Sequence, residues 1–504
     1  MKNIYYVCTL LILPMMMLSS CSDDSNGIDP VIQGTEISEF YFLKAYNPEL
    51  DSDQYATIEN NIISGRLPLE VEIQNMVASF EHDGAEILIN NSAQISGETP
   101  NDFTQIQNYT VNTADGNVGQ YEVDMTYFTG LPIIYIETAN GLEIDSKEDY
   151  FPGTMSMEGG RFFTDLSSTT MKIRGRGNST WGVHPKKPYQ LKFSEKTEML
   201  GMPEDKKWIF LAEYSDKTLI RNKIAFEMGY MSQLDYTPQS VFTEVVINGT
   251  YNGTYNIAQK VEESDHRVLI GDTGYLLEID QLHRLDPDDV YFRTNKFLIN
   301  IKEPDTEYNS NEFNYVNNLI NEFETVLMGS QFADPDLGYA KYIDVDSFID
   351  WYLISEITKN QDSKSFSSIF LNVMPGEKIK MGPLWDFDLA FGNVDYSECE
   401  YPTGFWVKDH AWYARLFEDD SFVAKVKQRF LYFRENQDFI LDKMDHYANQ
   451  LQWSQYENDQ KWNLFGNYVW PNPVVYDSHQ AEVDHLKSWY IERMNWLDAA
   501  YNGL

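Results

Sequence analysis

The sequence predicts a multidomain protein in which a β-sandwich is followed by an α+β domain with a helical C-terminal part. Residues 37–130 contain short strand-like runs separated by turn signals. From about residue 131, strand-like and helix-like patterns mix up to about residue 394. The remainder of the chain shows mostly helical periodicity. These three observations predict two folded domains of different architecture.

The N-terminus predicts export and lipid attachment. Lys2 precedes an apolar run from Ile4 to Leu18, which is too short for a mature membrane-spanning helix. The run ends in small residues directly before Cys21, and this order resembles the bacterial lipobox. We therefore expect residues 1–20 to be a lipoprotein signal peptide and Cys21 to carry the lipid. The alternative is an ordinary signal peptide with an incidental cysteine.

The residues after the predicted cleavage site indicate a cellular location and a spacer. Asp23 and Asp24 resemble the surface-export signal of Bacteroidetes lipoproteins, which implies a lipid anchor in the outer membrane or at the cell surface. Residues 21–36 are polar and contain Gly and Pro, as flexible tethers do. Residues 37–130 resemble the Ig-like modules of such lipoproteins and contain no catalytic constellation. We expect them to be a spacer.

Residues 131–504 form the predicted α+β domain. Strand patterns are expected at 170–174, 188–193, 243–247 and 368–372. Helical patterns are expected at 218–229, 311–327, 345–358, 411–417, 421–449 and 479–501. The stretch shows no internal repeat and no long low-complexity segment.

The composition excludes some partners and leaves others open. The net charge is −40 and the isoelectric point is about 4.4, which argues against non-specific binding of nucleic acid because that binding relies on basic patches. A solvated acidic surface is the simplest interpretation. Aromatic residues reach 14% and could belong to a large core or to sugar-binding platforms.

A basic hairpin stands out in this acidic chain. Residues 171–193 predict a strand, a turn that contains Gly175 and Gly177, and a second strand. Backbone amides of such a turn can approach an anion, and neighbouring basic side chains can neutralise phosphate. These side chains are Arg174, Arg176, Lys186 and Lys187. The hairpin could equally pair with the acidic surface.

Two acidic loops lie further along the chain. The helix that starts near Asp344 leads to Asp362, and the strand after it leads to Asp386 and Asp388. One carboxylate of such a pair can deprotonate a hydroxyl while another holds Mg²⁺ against phosphates. Aspartate is also a common turn former, so the loops alone are weak evidence.

In combination these segments resemble the spore coat protein H (CotH) kinase family over residues from about 131 to 501. The resemblance implies an atypical protein-kinase-like fold that binds ATP and Mg²⁺ and phosphorylates Ser or Thr of a protein substrate. The segments that carry it, in the family's order, are 173–181 with 186–193, 211–229, 252–268, 274–280, 344–362 and 382–393.

The resemblance also implies roles for single residues. Asp362 would be the catalytic aspartate, and Asp386 the metal ligand with Asp388 as a second candidate. Lys186 or Lys187 would contact the phosphates, and the choice between them stays open. Further anion contacts would come from Arg174, Arg176 and Arg221. Glu227 or Glu262 would orient the lysine, unless both are solvated surface charges.

One departure leaves a second function open. Ordinary kinases have a metal-binding Asn five residues after the catalytic Asp, and this chain has Ser367 there. A hydroxyl is a poorer fixed metal ligand than an amide oxygen. The alternative is therefore a catalytically weak pseudokinase that acts as a surface adhesion or glycan-binding module. A glycosidase built on paired carboxylates ranks last, because it gives the basic hairpin no role.

Overall fold

The structure is a computed structural model, and it describes residues 34–504. The predicted signal peptide, Cys21 and most of the predicted tether lie outside these residues. The described chain divides into two compact units. The first comprises the described residues up to Gly65 together with Gln74–Asp124, and the second comprises Arg66–Ile73 and Met125–Leu504. The domain limits expected from the sequence stay predictions.

The N-terminal region is β-rich, as the sequence predicts. Its antiparallel strands form one sheet of order β2-β1-β6, one of order β3-β4-β11-β10-β7-β8, and the pair β5-β9. Alternate residues of β10, such as Tyr109 and Val111, are buried. The β-sandwich arrangement stays a prediction. The strands are β1 Ile37–Phe42, β2 Gln54–Tyr55, β3 Thr57–Glu59, β4 Ile62–Leu67, β5 Met76–Val77, β6 Ser79–His82, β7 Glu86–Ile89, β8 Ser92–Ala93, β9 Pro100–Asn101, β10 Gln107–Asn112 and β11 Val118–Tyr127.

The second unit begins with a closed barrel of seven strands. They are β12 Ile133–Thr138, β13 Phe151–Glu158, β14 Leu166–Gly175, β15 Tyr189–Met199, β16 Met202–Leu211, β17 Ser240–Ile247 and β18 Thr250–Gln259. Their order is β12-β13-β14-β15-β16-β18-β17, and the parallel pairing of β12 with β17 closes it. Met171 and Ile173 of β14 are buried, whereas Lys172 between them is exposed. On this strand, alternation thus puts apolar side chains on one face and polar ones on the other.

A five-stranded sheet follows the barrel. Its order is β20-β21-β19-β22-β23, and its strands are β19 Tyr275–Asp280, β20 Val290–Arg293, β21 Leu298–Glu303, β22 Ile369–Val373 and β23 Lys380–Met381. A large apolar core joins this sheet to the helices. The helices are α1 Ser179–Val183, α2 Arg221–Tyr230, α3 Asn311–Met328, α4 Val345–Ile357, α5 Ala411–Leu416, α6 Asp420–Glu435, α7 Gln437–Gln450, α8 Ser454–Trp462 and α9 His479–Asn502.

The helical C-terminal part is confirmed, and its helices start where the sequence provides caps. The Ser310 side chain accepts a hydrogen bond from Phe313 N at the start of α3, and the Asp344 side chain accepts one from Ser347 N at the start of α4. The single helix expected at 421–449 is broken into α6 and α7 at Asn436, and α8 was not expected. No helix within residues 34–504 is long and apolar enough to span a membrane.

The seven-stranded barrel is the main feature that the sequence did not predict. Its strands were partly anticipated, but their closure depends on pairs such as Ile133 with Glu244, which are distant in the chain. The kinase-like fold stays a prediction.

Candidate functional site

A cleft of about 830 Å³ opens between the barrel and the five-stranded sheet. The barrel contributes apolar and basic side chains from β14 and β16, and the sheet contributes mostly acidic ones from β19 and the loop after it. Five of the sequence-predicted site residues line the cleft: Arg174, Arg176, Asp362, Asp386 and Asp388. Ser367 lines it as well. The cleft therefore brings both acidic loops close to Arg174 and Arg176 of the basic hairpin.

Asp362 is positioned by the residues that end helix α4. The chain turns after Ile357 into a short helical turn whose N-cap is Asn360. The Asn360 side chain accepts a hydrogen bond from Asp362 N at 3.2 Å and donates through Nδ2 to Asp386 O at 3.0 Å. Because Asn360 is buried, one amide side chain fixes both acidic loops relative to each other.

Asp386 adopts a backbone conformation that is unusual for a residue with a side chain. Its φ is 67°, in the left-handed region, so surrounding contacts must hold it there. Ser368 Oγ donates to Asp386 Oδ2 at 3.3 Å, and Phe387 N donates to Asn222 Oδ1 at 2.7 Å. Asn222 lies on α2 and also donates to the carboxylate of Glu213. Through Asn222, helix α2 thus holds the backbone directly after Asp386, the metal-ligand candidate.

The environment of the cleft raises the pKa of two of its carboxyl groups, Asp362 and Asp388. Burial raises the pKa of Asp362 to about 7; the charge of Asp386 adds to this, and Arg284 opposes it. Burial and the charge of Asp386 raise the pKa of Asp388 well above its ordinary value. Bringing a cation to these groups would relieve the repulsion.

The basic side of the cleft carries unused hydrogen-bonding capacity. Among residues 34–504, the buried Nε of Arg174 finds no hydrogen-bond partner, and its guanidinium lies 4.9 Å from the centroid of the Tyr150 ring. Burial lowers the pKa of Arg176, while Asp386 and Asp388 oppose that effect. An anion such as a phosphate would satisfy both guanidinium groups.

The donor set fits Mg²⁺ bound together with phosphates. Within residues 34–504 no group of three or more His, Cys, Asp or Glu side chains could hold a metal ion on its own. Mg²⁺ does not need such a group, because it keeps several waters and commonly takes one or two carboxylates plus substrate phosphates. Asp386 and Asp388 supply two carboxylates beside basic groups suited to phosphate.

A family model described as CotH kinase protein matches residues 173–497, most of the chain. The chain belongs to the CotH kinase family. The matched range contains every cleft residue discussed above. The family points to a kinase-like protein and thus to the use of a nucleotide and a metal ion.

Comparison with solved and curated proteins adds little. A protein from Bacteroides fragilis, provisionally described as secreted, is 16% identical over 19% of this chain and 98% of its own, with a TM-score of 0.15. One from Bacteroides thetaiotaomicron, provisionally described as a glycoside hydrolase, is 15% identical over 57% of this chain and 88% of its own, with a TM-score of 0.16. At these TM-scores neither likeness carries an argument. No curated protein matches.

Three predicted phosphate contacts lie outside the cleft lining of this CotH-family chain. Lys186 is fully buried, donates to Asn458 Oδ1 at 2.9 Å and lies 4.6 Å from the centroid of the Tyr255 ring. Lys187 donates to Trp181 O at 2.6 Å. Arg221 is buried in an ion pair with Asp216. Their roles at a phosphate stay predictions.

The structure brings a different lysine to the cleft. Lys260 directly follows β18 and lines the cleft, and its Nζ donates to Glu262 Oε2 at 3.1 Å. The second predicted glutamate, Glu227, instead contacts Tyr447 and Lys443. Lys260 and Glu262 stand two positions apart directly after a strand, and this pairing of opposite charges is the signal in the sequence that could have identified them.

Further acidic residues of the cleft were also missed. Glu278 and Asp280 are two positions apart on β19, so both side chains reach the same face of the sheet. Burial and the charge of Asp280 raise the pKa of Glu278 to about 7. At position 367, the Ser367 hydroxyl accepts a hydrogen bond from Arg284 Nη1 at 2.8 Å. Arg284 thus binds the residue that replaces the second metal-binding Asn.

Proposed function

We propose that this protein is an ATP- and Mg²⁺-dependent phosphotransferase that phosphorylates Ser or Thr hydroxyls of a secreted or surface protein. The observation that carries the proposal is the meeting of Asp362, Asp386 and Arg176 in one cleft. Membership of the CotH kinase family supports the same reaction class. Phosphoryl transfer depends mainly on positioning and electrostatic stabilisation, which this arrangement suits.

Asp362 is suited to the role of general base. Transfer forms a bond between the acceptor oxygen and the γ-phosphorus and breaks the bond to the β,γ-bridging oxygen, which leaves with its electron pair on ADP. The hydroxyl proton passes to a carboxylate oxygen of Asp362. A base whose pKa is near 7 is ionised in a useful fraction at neutral pH and still holds the proton that it accepts.

The opposite wall of the cleft is suited to the nucleotide. Arg174, Arg176 and Lys260 place positive charge where phosphates would lie. Bound at Asp386 and Asp388, Mg²⁺ would neutralise charge on the phosphates. Apolar side chains further along the cleft offer contact for a nucleobase, namely Ile209, Leu211, Val261, Phe370 and Leu389.

A second function has one observation in its favour. Ser367 is buried and its hydroxyl is occupied by Arg284, so the second metal-binding position of ordinary kinases has no equivalent carboxamide here. The alternative is therefore a pseudokinase that acts as a surface adhesion or glycan-binding module. It predicts that the protein binds Mg²⁺ and ATP but transfers no phosphate.

The cellular location of the protein is part of the proposal. The motif before Cys21 supports a lipid anchor, and the acidic pair after it supports the outer membrane or cell surface. We propose that the protein reaches its substrate there.

The test is phosphate incorporation from γ-labelled ATP with Mg²⁺, measured in the protein itself and in casein as a general acceptor. Replacement Asp362→Asn should reduce incorporation by at least about 100-fold, because it removes the general base. Asp442→Asn makes the same chemical change at an exposed position of α7 and should leave the rate unchanged. Equal rates in wild type and Asp362→Asn would refute the kinase proposal. Binding of Mg²⁺ and ATP without transfer would favour the pseudokinase.

A further inference from the structure

Two aromatic rings form an exposed step that the phosphotransferase proposal does not use. The rings of Tyr396 and Trp470 have centroids 5.9 Å apart and planes within 10° of parallel. Tyr396 is 50% exposed and Trp470 is 37% exposed. Single exposed rings need no explanation, but exposed apolar surface shared by neighbouring rings commonly marks a binding site.

The step packs against further aromatic rings in the interior. The Trp470 ring lies 6.3 Å from the ring of His184, which is buried and lies 5.0 Å from the ring of Tyr214. Tyr214 in turn meets Trp462 edge-on at 6.0 Å. Burial and the nearby Lys187 lower the pKa of His184 to about 4, so its imidazole is neutral at physiological pH. The rings are therefore held by packing, and the His184 imidazole behind them is uncharged.

The step lies at the rim of the cleft. Ser397 follows Tyr396 and donates a hydrogen bond to the side chain of Gln361, the residue before Asp362. On the other side, His184 follows α1, whose Ser179 lines the cleft. Burial and the charges of Asp362 and Asp388 raise the pKa of Tyr396 to about 12, so the step lies near the proposed general base.

The chemistry of the step favours a neutral sugar. Aromatic faces carry negative charge density and attract the weakly positive C–H groups on the flat face of a pyranose. Asp395 stands beside Tyr396 and accepts a hydrogen bond from Tyr468 at 2.6 Å, which leaves its second carboxylate oxygen for a sugar hydroxyl. An anionic ligand would meet the carboxylates of Asp395 and Glu398. An aromatic peptide side chain would favour a concave pocket over an exposed step.

We propose that Tyr396, Trp470 and Asp395 form a binding site for a neutral oligosaccharide at the rim of the cleft. The site does not depend on phosphate transfer, and it would operate in either an active kinase or a pseudokinase. In an active kinase it would hold the glycan of an acceptor beside Asp362.

Isothermal titration of the full chain in a sugar-free detergent tests the proposal. The probes are cellopentaose, xylopentaose, mannopentaose, maltopentaose and chitopentaose, each taken to millimolar concentration in the absence of nucleotide. At least one should bind, and Tyr396→Ala and Trp470→Ala should each weaken that binding by about tenfold or more. Tyr396→Phe and Trp470→Phe keep a ring and should retain most of the affinity, so loss by misfolding can be recognised.

Two controls distinguish sugar binding at these rings from binding elsewhere on the chain. Tyr401→Ala removes an equally exposed ring from the same segment and should not change the affinity. Asp362→Asn should also leave sugar binding intact, so failure of the kinase proposal does not affect this test. Absence of binding by all five sugars would overturn the proposal, as would binding that survives loss of both rings. Binding of an aromatic peptide, but of no sugar, at these rings would overturn it as well.

Discussion

Asn360 is the residue on which the relative position of the two acidic loops depends. Its side-chain amide accepts a hydrogen bond from Asp362 N and donates one to Asp386 O. Asn360 is buried, so loss of either bond would leave a polar group without compensation at a cost of about 1–3 kcal/mol. The geometries of proposed proton acceptance by Asp362 and of proposed metal binding by Asp386 are therefore coupled through the side-chain amide of Asn360.

Asp362 itself should reduce the stability of the folded protein at neutral pH. Its folded pKa is about 7, raised from 3.8 by burial and by Asp386. Between these values the unfolded state loses the proton first, so stability falls as the pH rises through this window. Asp362→Asn should remove the penalty and raise the free energy of unfolding by about 1–4 kcal/mol at about pH 8. Thermal unfolding at several pH values measures this.

The pH dependence of this change in stability provides a control. At about pH 4 the carboxyl is protonated in the folded state and still partly protonated in the unfolded state, so most of the advantage of Asp362→Asn should vanish. Asp442→Asn, on the exposed face of α7, should change little at either pH. A variant that is destabilised at about pH 8, or equally stabilised at about pH 4, would contradict the electrostatic account.

The sequence identifies some of these residues and misses others for a physical reason. Asp362 and Asp386 stand in loops directly after a helix and a strand, where local pattern predicts position well. Lys186 stands in an equally suggestive motif, but its side chain is taken up by Asn458 and Tyr255, which are remote in the chain. No local pattern reports such partners. Lys260 was missed because a lone lysine after a strand carries no signal until Glu262 is read with it.

Among the elements, most of the long helices of the second unit were predictable and the barrel was not. Helices α3 and α4 are capped by Ser310 and Asp344 and are stabilised by contacts close in sequence. The hairpin of β14 and β15 was also expected, because its partners lie a short distance apart in the chain. Barrel closure depends on the parallel pairing of β12 with β17, and strand patterns do not specify which strands pair.

Neighbouring elements of the barrel wall provide a matched test of the proposed nucleotide site. The pairing of Trp208 with Gln259 sets Lys207 on β16 beside Lys260 after β18, and both donate to Glu262. Only Lys260 lines the cleft. Lys260→Met should raise the KM for ATP by about tenfold, because one ammonium contact with phosphate is lost. Initial rates at varied ATP, or the affinity for ATP if transfer is too slow, measure this.

Lys207→Met is the control for this substitution. It also takes one cation from Glu262, so the two variants should lose similar thermal stability. Its KM for ATP should nevertheless stay within about twofold of wild type, because Lys207 lines a different depression and not the cleft. Equal shifts of KM in both variants would mean that the Glu262 network, rather than direct contact by Lys260, sets the affinity.

For the molecule as a whole, charge and address constrain function together. The chain carries 78 acidic and 38 basic residues, yet the cleft gathers Arg174, Arg176 and Lys260 on one wall. Basic groups retained in so acidic a chain support a ligand with phosphate. The proposed anchor would hold this cleft outside the cytoplasm, where ATP is normally scarce. An active kinase there needs a local supply of ATP, whereas a pseudokinase or a sugar-binding protein does not.

The proposed address depends on Cys21 and can be tested with a second cysteine as control. Cells fed a labelled fatty acid should incorporate it into the wild-type chain, and the protein should sediment with membranes. Cys21→Ser should abolish both, because the thiol that carries the lipid is gone. Cys8→Ser alters a cysteine inside the predicted signal peptide and should change neither, since that residue is removed with the signal. Label retained in Cys21→Ser would refute lipid attachment at Cys21 and with it the proposed anchor.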